Sequence, residues 1–469
     1  MTSGVTTTLE HLRRERVVLA PDIVLTPRGP EAGQALIVQG DKLAYVGPAS
    51  ALTPADAAEA RALPGHAVIP GFIDAHTHLA QTFGKILIGG EPAQIWRRLW
   101  LPMEAALDEQ GDYVSAKWQL LEQLRGGFTG VVNYALNDSR RNAAVHRAAA
   151  EVGIRLRSST GLDEHAIGAE EAERVPLARI LERYEEHIEQ VAPFPLIEPS
   201  LSASSFYGNR PETLAAISEF ARARGLILQL HANEHFPEVH DSILRFGKRP
   251  IELLFEHGVL GPHVLIHHAT LVTDHEVELL KRSGAAVSYN PVASEWKGNA
   301  VAPALAFAAH GVRFGLGSDN TRFNGFRTLD AAEHAQRLAH GQRVSDFSAG
   351  AAWTWVDAIS RGSADAAGFS GVGTLESGAA ADFLILDTQR PETIVSWDFE
   401  WELVRYYDRD QIAFVVVGGK PVLAAGQPVD WDGSAFLREH AALGRRIGSS
   451  PGITRVHGGS QLHRPRRAE

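Results

Sequence analysis
The stretch Pro70-Gly71-Phe72-Ile73-Asp74-Ala75-His76-Thr77-His78 decides how the rest of the chain is read. An apolar run, Ala67-Val68-Ile69, enters it through the Pro-Gly pair, and Phe72-Ile73 then delivers two histidines one residue apart. On a strand, successive side chains alternate faces, so His76 and His78 point the same way. Two imidazoles on one strand end make half of a divalent-metal site. Taken alone, a His-x-His in a chain with 21 histidines is as readily a surface feature. The missing ligands have to come from further along.

The bulk properties narrow the search. A chain of 469 residues accommodates one large domain and a smaller one. Hydrophobic residues at 44% and charged residues at 22% are those of a globular protein. The net charge of −11 leaves no basic footprint for nucleic acid. There is no cysteine, so thiolate ligands and disulfides are excluded and any metal must be held by His and carboxylates. Residues Met1 to Arg16 hold no apolar core of signal-peptide length, and no apolar run is long enough to span a membrane. These features predict a cytoplasmic protein with neither nucleic acid nor membrane as partner; a small-molecule substrate and a homo-oligomeric state are further expectations that composition does not itself supply.

Residues 1–68 read as short strands and turns: Val17-Val18-Leu19, Ile23 to Thr26, and a hairpin from Ala35 to Val46 through Gln39-Gly40-Asp41. From 69 to 370 the rhythm becomes strand followed by helix. Helices are expected over Asp108–Arg125, Arg140–Val152, Leu177–Val191, Pro211–Arg224 and Asp274–Arg282, with about eight apolar strands between them. A (β/α)8 barrel of the TIM type is the economical solution, with its site at the carboxyl ends of the strands. A doubly wound sheet is the alternative, but no Gly-rich phosphate loop follows the first strand. Strand-and-turn grammar returns over 371–430, in Phe383 to Asp387 and Ile412 to Val417. A small β-sandwich domain built from both chain ends therefore flanks the barrel. Residues 431–469 would add a closing helix, over 433–447, and a mobile tail from Ser449.

Four strand ends carry metal-binding residue types. Leu226 to Leu230 runs into His231-Ala232-Asn233-Glu234, Val264-Leu265-Ile266 ends in His267-His268, and Phe314 to Ser318 delivers Asp319. Four such coincidences outweigh the reading of His76 and His78 as incidental.

These motifs together resemble the amidohydrolase superfamily, in the branch of triazine hydrolases and cytosine, guanine and S-adenosylhomocysteine deaminases. Pro70 to His78 fits its opening signature, His231 with Glu234 its His-x-x-Glu, His267 its sixth-strand histidine and Asp319 its eighth-strand aspartate. Asn290-Pro291-Val292-Ala293-Ser294 and Gly378 to Asp382 resemble two further family motifs, so the resemblance spans residues 17 to 430. It implies one divalent ion (zinc, with iron, cobalt or manganese as alternatives) on His76, His78, His231 and Asp319. His267 would be a fifth ligand or would contact the metal's water. Glu234 would shuttle a proton, and Asp319 would accept one as well as ligate. A bound divalent ion lowers the pKa of its water to near 7, which supplies hydroxide at neutral pH.

The sequence departs from the family at three places. The fourth strand, Leu196 to Ser200, has no lysine to carboxylate, Thr270 stands where many deaminases have a histidine, and Asn133 where aspartate is common. A mononuclear site is therefore expected, with Glu198 a poor candidate for bridging two metals. Apolar and aromatic residues surround the motifs: Leu79, Phe83, Ile86, Leu87, Ile88, Trp96, Trp100, Phe206, Tyr207 and Trp296, most of them read as core or helix packing and a few as pocket lining. Polar candidates are Gln81, Asn233, His235, Glu295, Asn320 and Arg322. The resulting expectation is a hydrolase cleaving a C–N bond, of deaminase type on an N-heterocycle. The alternative is an amide, urea or carbamate hydrolase of the phenylurea or molinate type. A non-catalytic binding barrel is a third reading, which the intact ligands and Glu234 argue against.

Overall fold
The computed structural model describes residues 3–454 except 86, 88–94, 137, 166–172, 298, 346–349 and 451. Ile86, Ile88, the side chains of Glu295 and Trp296, and the tail over 455–469 thus lie outside the described residues.

Eight parallel strands form the barrel: β1 (Phe72–Thr77), β2 (Phe128–Asn133), β3 (Arg155–Thr160), β4 (Ile197–Ala203), β5 (Leu228–Ala232), β6 (Val264–His268), β7 (Ala286–Tyr289) and β8 (Arg313–Leu316). Each pairs with its neighbour in chain order. The ring is closed between β1 and β8 by Asp319 N donating to His76 O at 2.8 Å. Alternation along the strands sorts the side chains into two cores. Ile73, Val132, Leu265 and Ala286 pack with one another and with Phe369 and Val372. Phe72, Val131, Ile266 and Val287 pack against the surrounding helices instead.

The helices begin and end on local signals. Asp108 caps Glu109–Arg125 by accepting from Gly111 N, and Asp138 caps Ser139–Val152 by accepting from Arg140 N and Arg141 N. Thr273 and Glu276 form a capping box on Asp274–Ser283. Pro211–Arg224 starts on its proline and stops at Gly225, whose φ of +64° costs a glycine little.

The flanking domain is a mixed nine-stranded sheet built from both ends of the chain. Its seam is Arg61–Pro70, parallel to Arg16–Thr26 on one side and antiparallel to Phe383–Asp387 on the other. Ala67-Val68-Ile69 and Phe72-Ile73, read as one run into the histidines, are therefore strands of two different sheets. The chain changes sheets at Gly71, where a Cβ would lie 2.1 Å from Thr129 Oγ1. Helix Gly433–Gly448 follows the last strand. No helix among the described residues is long and apolar enough to cross a membrane.

Candidate metal centre
His76 lies on the last turn of pleat in β1, and His78 follows just beyond the strand. The buried Asp74 carboxylate fixes this strand end against β8: Oδ1 accepts from Ser318 N at 2.8 Å and His76 N at 3.3 Å. Its Oδ2 accepts from Gln123 Nε2 at 2.9 Å. His231 comes from the end of β5, and Asp319 from the turn after β8, where its φ is +55°.

Two overlapping sets of donor atoms each lie within 4.8 Å of one another: His76 with His78 and Asp319, and His76 with His231 and His268. His76 Nε2 is 3.2 Å from His231 Nε2, and Asp319 Oδ1 is 3.5 Å from His78 Nε2 and 3.9 Å from His76 Nε2. Donor atoms of a tetrahedral ion at zinc-like bond lengths stand about 3.4 Å apart, so either set is spaced to hold a divalent ion, with His76 common to both. The chemistry of the donors agrees. Burial holds the His76 and His231 imidazoles well below their ordinary pKa, hence neutral, with lone pairs free for a cation. Two neutral rings facing each other through Nε2 can bond only if one donates a proton, whereas an ion satisfies both.

The two histidines of β6 part company. His267 stays in the pleat: it stacks on His76 with ring centroids 3.7 Å apart, and its Nε2 is 3.1 Å from Gln229 Oε1. The Gln229 amide donates to Ser200 Oγ, so Oε1 is an acceptor and His267 Nε2 carries the proton. His267, the expected fifth ligand or water contact, is thus engaged below the centre. His268 takes the place at the mouth, because His268 (φ +72°) and Ala269 (φ +46°) leave the strand in a left-handed turn. Asn290 Nδ2 donates to His268 Nδ1 at 3.2 Å, which leaves the proton on Nε2, 3.7 Å from Glu234 Oε2.

Glu234 is buried beside the four donors. Burial opposes its charge, but His235, His268 and Lys297 hold the carboxyl well below the usual carboxylate range. Burial likewise opposes the Asp319 charge, and Lys297 and His78 outweigh it. Lys297, from helix Pro291–Lys297, lies 2.6 Å from Asp319 Oδ2 and 3.2 Å from Glu234 Oε1. Glu238 Oε2 accepts from Glu234 N at 2.8 Å, and burial pushes the Glu238 carboxyl up to about 7.

These groups form one end of a cavity of about 380 Å³. Its other walls are apolar and aromatic: Ile95, Trp96, Trp100, Leu101, Leu136 and Tyr207. Polar lining includes Arg141, Ser204, Ser205 and a chain in which Asn320 donates to Gln81 and Gln81 to Glu104. Of the polar residues proposed from sequence, Gln81, His235 and Asn320 line the cavity. Asn233 turns away to Glu276 at 2.7 Å and Leu271 O at 3.2 Å. Glu198 is half-exposed and paired with Arg157 at 2.8 Å, away from the histidines. Sequence reading missed Glu104, Lys297 and His268. Only His268 carried a signal, as the second half of a doubled histidine whose two members it could not rank.

Known proteins bear on this architecture. The chain is 29% identical over 390 residues to the 5-methylthioadenosine/S-adenosylhomocysteine deaminase of Natronomonas pharaonis, covering 81% of this chain and 87% of that one. It is 28% identical over 390 residues to the 5'-deoxyadenosine deaminase of Methanopyrus kandleri, with 82% and 87% covered. Among solved structures, a zinc-bound adenosine deaminase from Xanthomonas campestris superposes with a TM-score of 0.82 at 22% identity, over 92% of this chain and 98% of that one. The zinc complex of atrazine chlorohydrolase from Arthrobacter aurescens superposes with a TM-score of 0.79 at 22% identity, over 91% and 99%. Residues 67–422, which hold the whole barrel, match the amidohydrolase family, and the chain is a member of that family.

Proposed function
We propose that this protein is a hydrolytic deaminase of small aminated N-heterocycles, of the adenosine-derivative class, working with one divalent ion. The observation that carries the reading is that the donors His78, His231 and Asp319 and the ionised Glu234 line one aromatic cavity. The ion would be held by His76, His78, His231 and Asp319. It supplies Lewis acidity that brings the pKa of a bound water toward neutrality. Zinc is the ion of this reading, since two structural neighbours were solved with zinc, although the same donor set accepts other first-row ions.

The chain's own residues do the rest. The aromatic walls stack a flat ring and exclude water. Glu234, held ionised, accepts a proton from the attacking water and returns it to the departing nitrogen, which leaves poorly as an anion. His268 offers its Nε2–H beside that carboxylate. The names of the relatives, deaminases of adenosine derivatives, support a purine ring carbon over an amide or urea carbon as the point of attack. The same reading carries a cytoplasmic assembly of identical chains, for which light scattering on the purified protein is the check.

The deciding experiment incubates purified, metal-analysed protein with methylthioadenosine, adenosine, aminotriazines, phenylureas and carbamates. Ammonia and products are followed by mass spectrometry. Deamination of a purine nucleoside with about one metal per chain is expected. Turnover confined to ureas or carbamates overturns the ring-carbon assignment, and a metal-free active enzyme overturns the reading entirely.

A further inference from the structure
The ammonium of Lys297 divides the oxygens of two carboxylates. Asp319 Oδ1 faces His78 Nε2 at 3.5 Å and His76 Nε2 at 3.9 Å, whereas Oδ2 is 2.6 Å from Lys297 Nζ. Glu234 Oε1 is taken by Lys297 Nζ at 3.2 Å and His235 Nε2 at 3.1 Å. Among the described residues Glu234 Oε2 has no hydrogen-bond partner; His268 Nε2 stands 3.7 Å away, beyond bonding distance. Among the described residues no other lysine or arginine pairs with either acid. Lys297 also lines the cavity and is nearly buried, so water screens these pairs little.

A carboxylate beside a metal has two modes open to it. It can chelate through both oxygens, or it can ligate through one and take a proton on the other. A charged donor on Asp319 Oδ2 closes both options, and its second N–H fixes which Glu234 oxygen is free. Resting on the metal-site reading above, we propose that Lys297 is a positioning residue that restricts Asp319 to one-oxygen ligation and leaves Glu234 Oε2 as the proton acceptor. The second duty expected of Asp319 from sequence, accepting the proton of the water, passes to Glu234. The balance closes: the water's O–H bond breaks as the Glu234 O–H forms, its oxygen keeps the electron pair and bonds to the ring carbon, the C–N bond breaks as the proton passes from Glu234 to the departing nitrogen, and Lys297 keeps its own protons throughout.

The test uses the full chain, stripped with a chelator and reloaded with cobalt(II) chloride, whose visible absorption weakens as coordination number rises above four. Wild type should bind about one cobalt per chain with the band intensity of a five-coordinate ion, four protein donors and one water. Lys297→Met should still bind cobalt but with a weaker band, as Oδ2 joins the ion. Its kcat should fall about 10–100-fold with KM within about threefold of wild type. Lys297→Arg, which keeps the charge and two donors, should restore the band and most of the rate. If Lys297→Met gives no soluble protein, Lys297→Gln is read in its place. An unchanged band in the variant lacking the charge, whatever its rate, overturns this inference alone. A wild-type chain that takes up no cobalt overturns the metal-site reading and this inference with it.

Discussion
Burial by itself raises the pKa of a carboxyl, and at Glu234 three neighbours reverse that effect. The functional consequence is a base already ionised at neutral pH. Glu234→Gln keeps shape and removes the charge, so it should retain the metal while turnover slows about 10²–10⁴-fold, the scale of a lost general acid–base group. Metal analysis and steady-state rates on one preparation decide this, and loss of metal together with rate would show Glu234 to be a ligand. Four residues on, Glu238 behaves oppositely, because burial dominates there and lifts its pKa to about 7. The folded state therefore favours the protonated acid. That contribution is complete below the ordinary pKa of 4.5 and is lost as pH rises through 7. In the metal-stripped protein the loss should amount to about 3 kcal/mol. Glu238→Gln, which can still accept from Glu234 N, should erase it. Urea midpoints at about pH 5 and pH 8 should diverge in wild type and coincide in the variant.

At the scale of elements, the centre depends on how closely β1 and β8 approach. Gly317, directly after β8, has no room for a side chain: a Cβ would stand 2.2 Å from Asn290 Oδ1 and 2.9 Å from His76 N. Gly317→Ala should push the two strand ends apart, costing about 1–3 kcal/mol of stability. Metal affinity should fall with it, read by competition against a chelating dye; unaltered affinity would mean that the strand ends adjust independently of the ligands. Helices were the legible elements. Leu177–Val191 and Pro211–Arg224 fall where the sequence placed them, since apolar spacing, an initial proline and a terminal glycine are local properties. Two features were not legible, because long-range pairing decides them. Arg61–Pro70 and β1 carry the same kind of apolar run, and only their partners, Phe383–Asp387 and β2, assign them to different sheets. His267 and His268 are likewise identical in composition, and a left-handed turn decides which reaches the mouth. Lys297 came from a helix whose seven residues announce no site, and its role depends on two carboxylates 63 and 22 residues away in sequence.

Across the whole molecule, barrel and flanking sheet are joined by a buried ion pair. Arg155 of β3 is bidentate to Asp382, with Nη2 at 3.1 Å from Oδ1, and that oxygen also accepts from Gly418 N at 2.7 Å. Asp382→Ala strands the guanidinium and should cost about 3–5 kcal/mol. Calorimetry should show a lower melting temperature, with kcat at low temperature close to wild type; a wild-type melt would mean that the junction contributes nothing. The seam strand Arg61–Pro70 has one partner drawn from residues before it and the other from Phe383–Asp387, more than 300 residues later. On the ribosome, then, this strand emerges with its second edge bare and must wait through the synthesis of the entire barrel. An open strand edge invites pairing with other chains. The nascent protein is thus most exposed to misassembly during that interval, and a message truncated before Asp382 yields a chain with a complete set of metal donors and a sheet that cannot close.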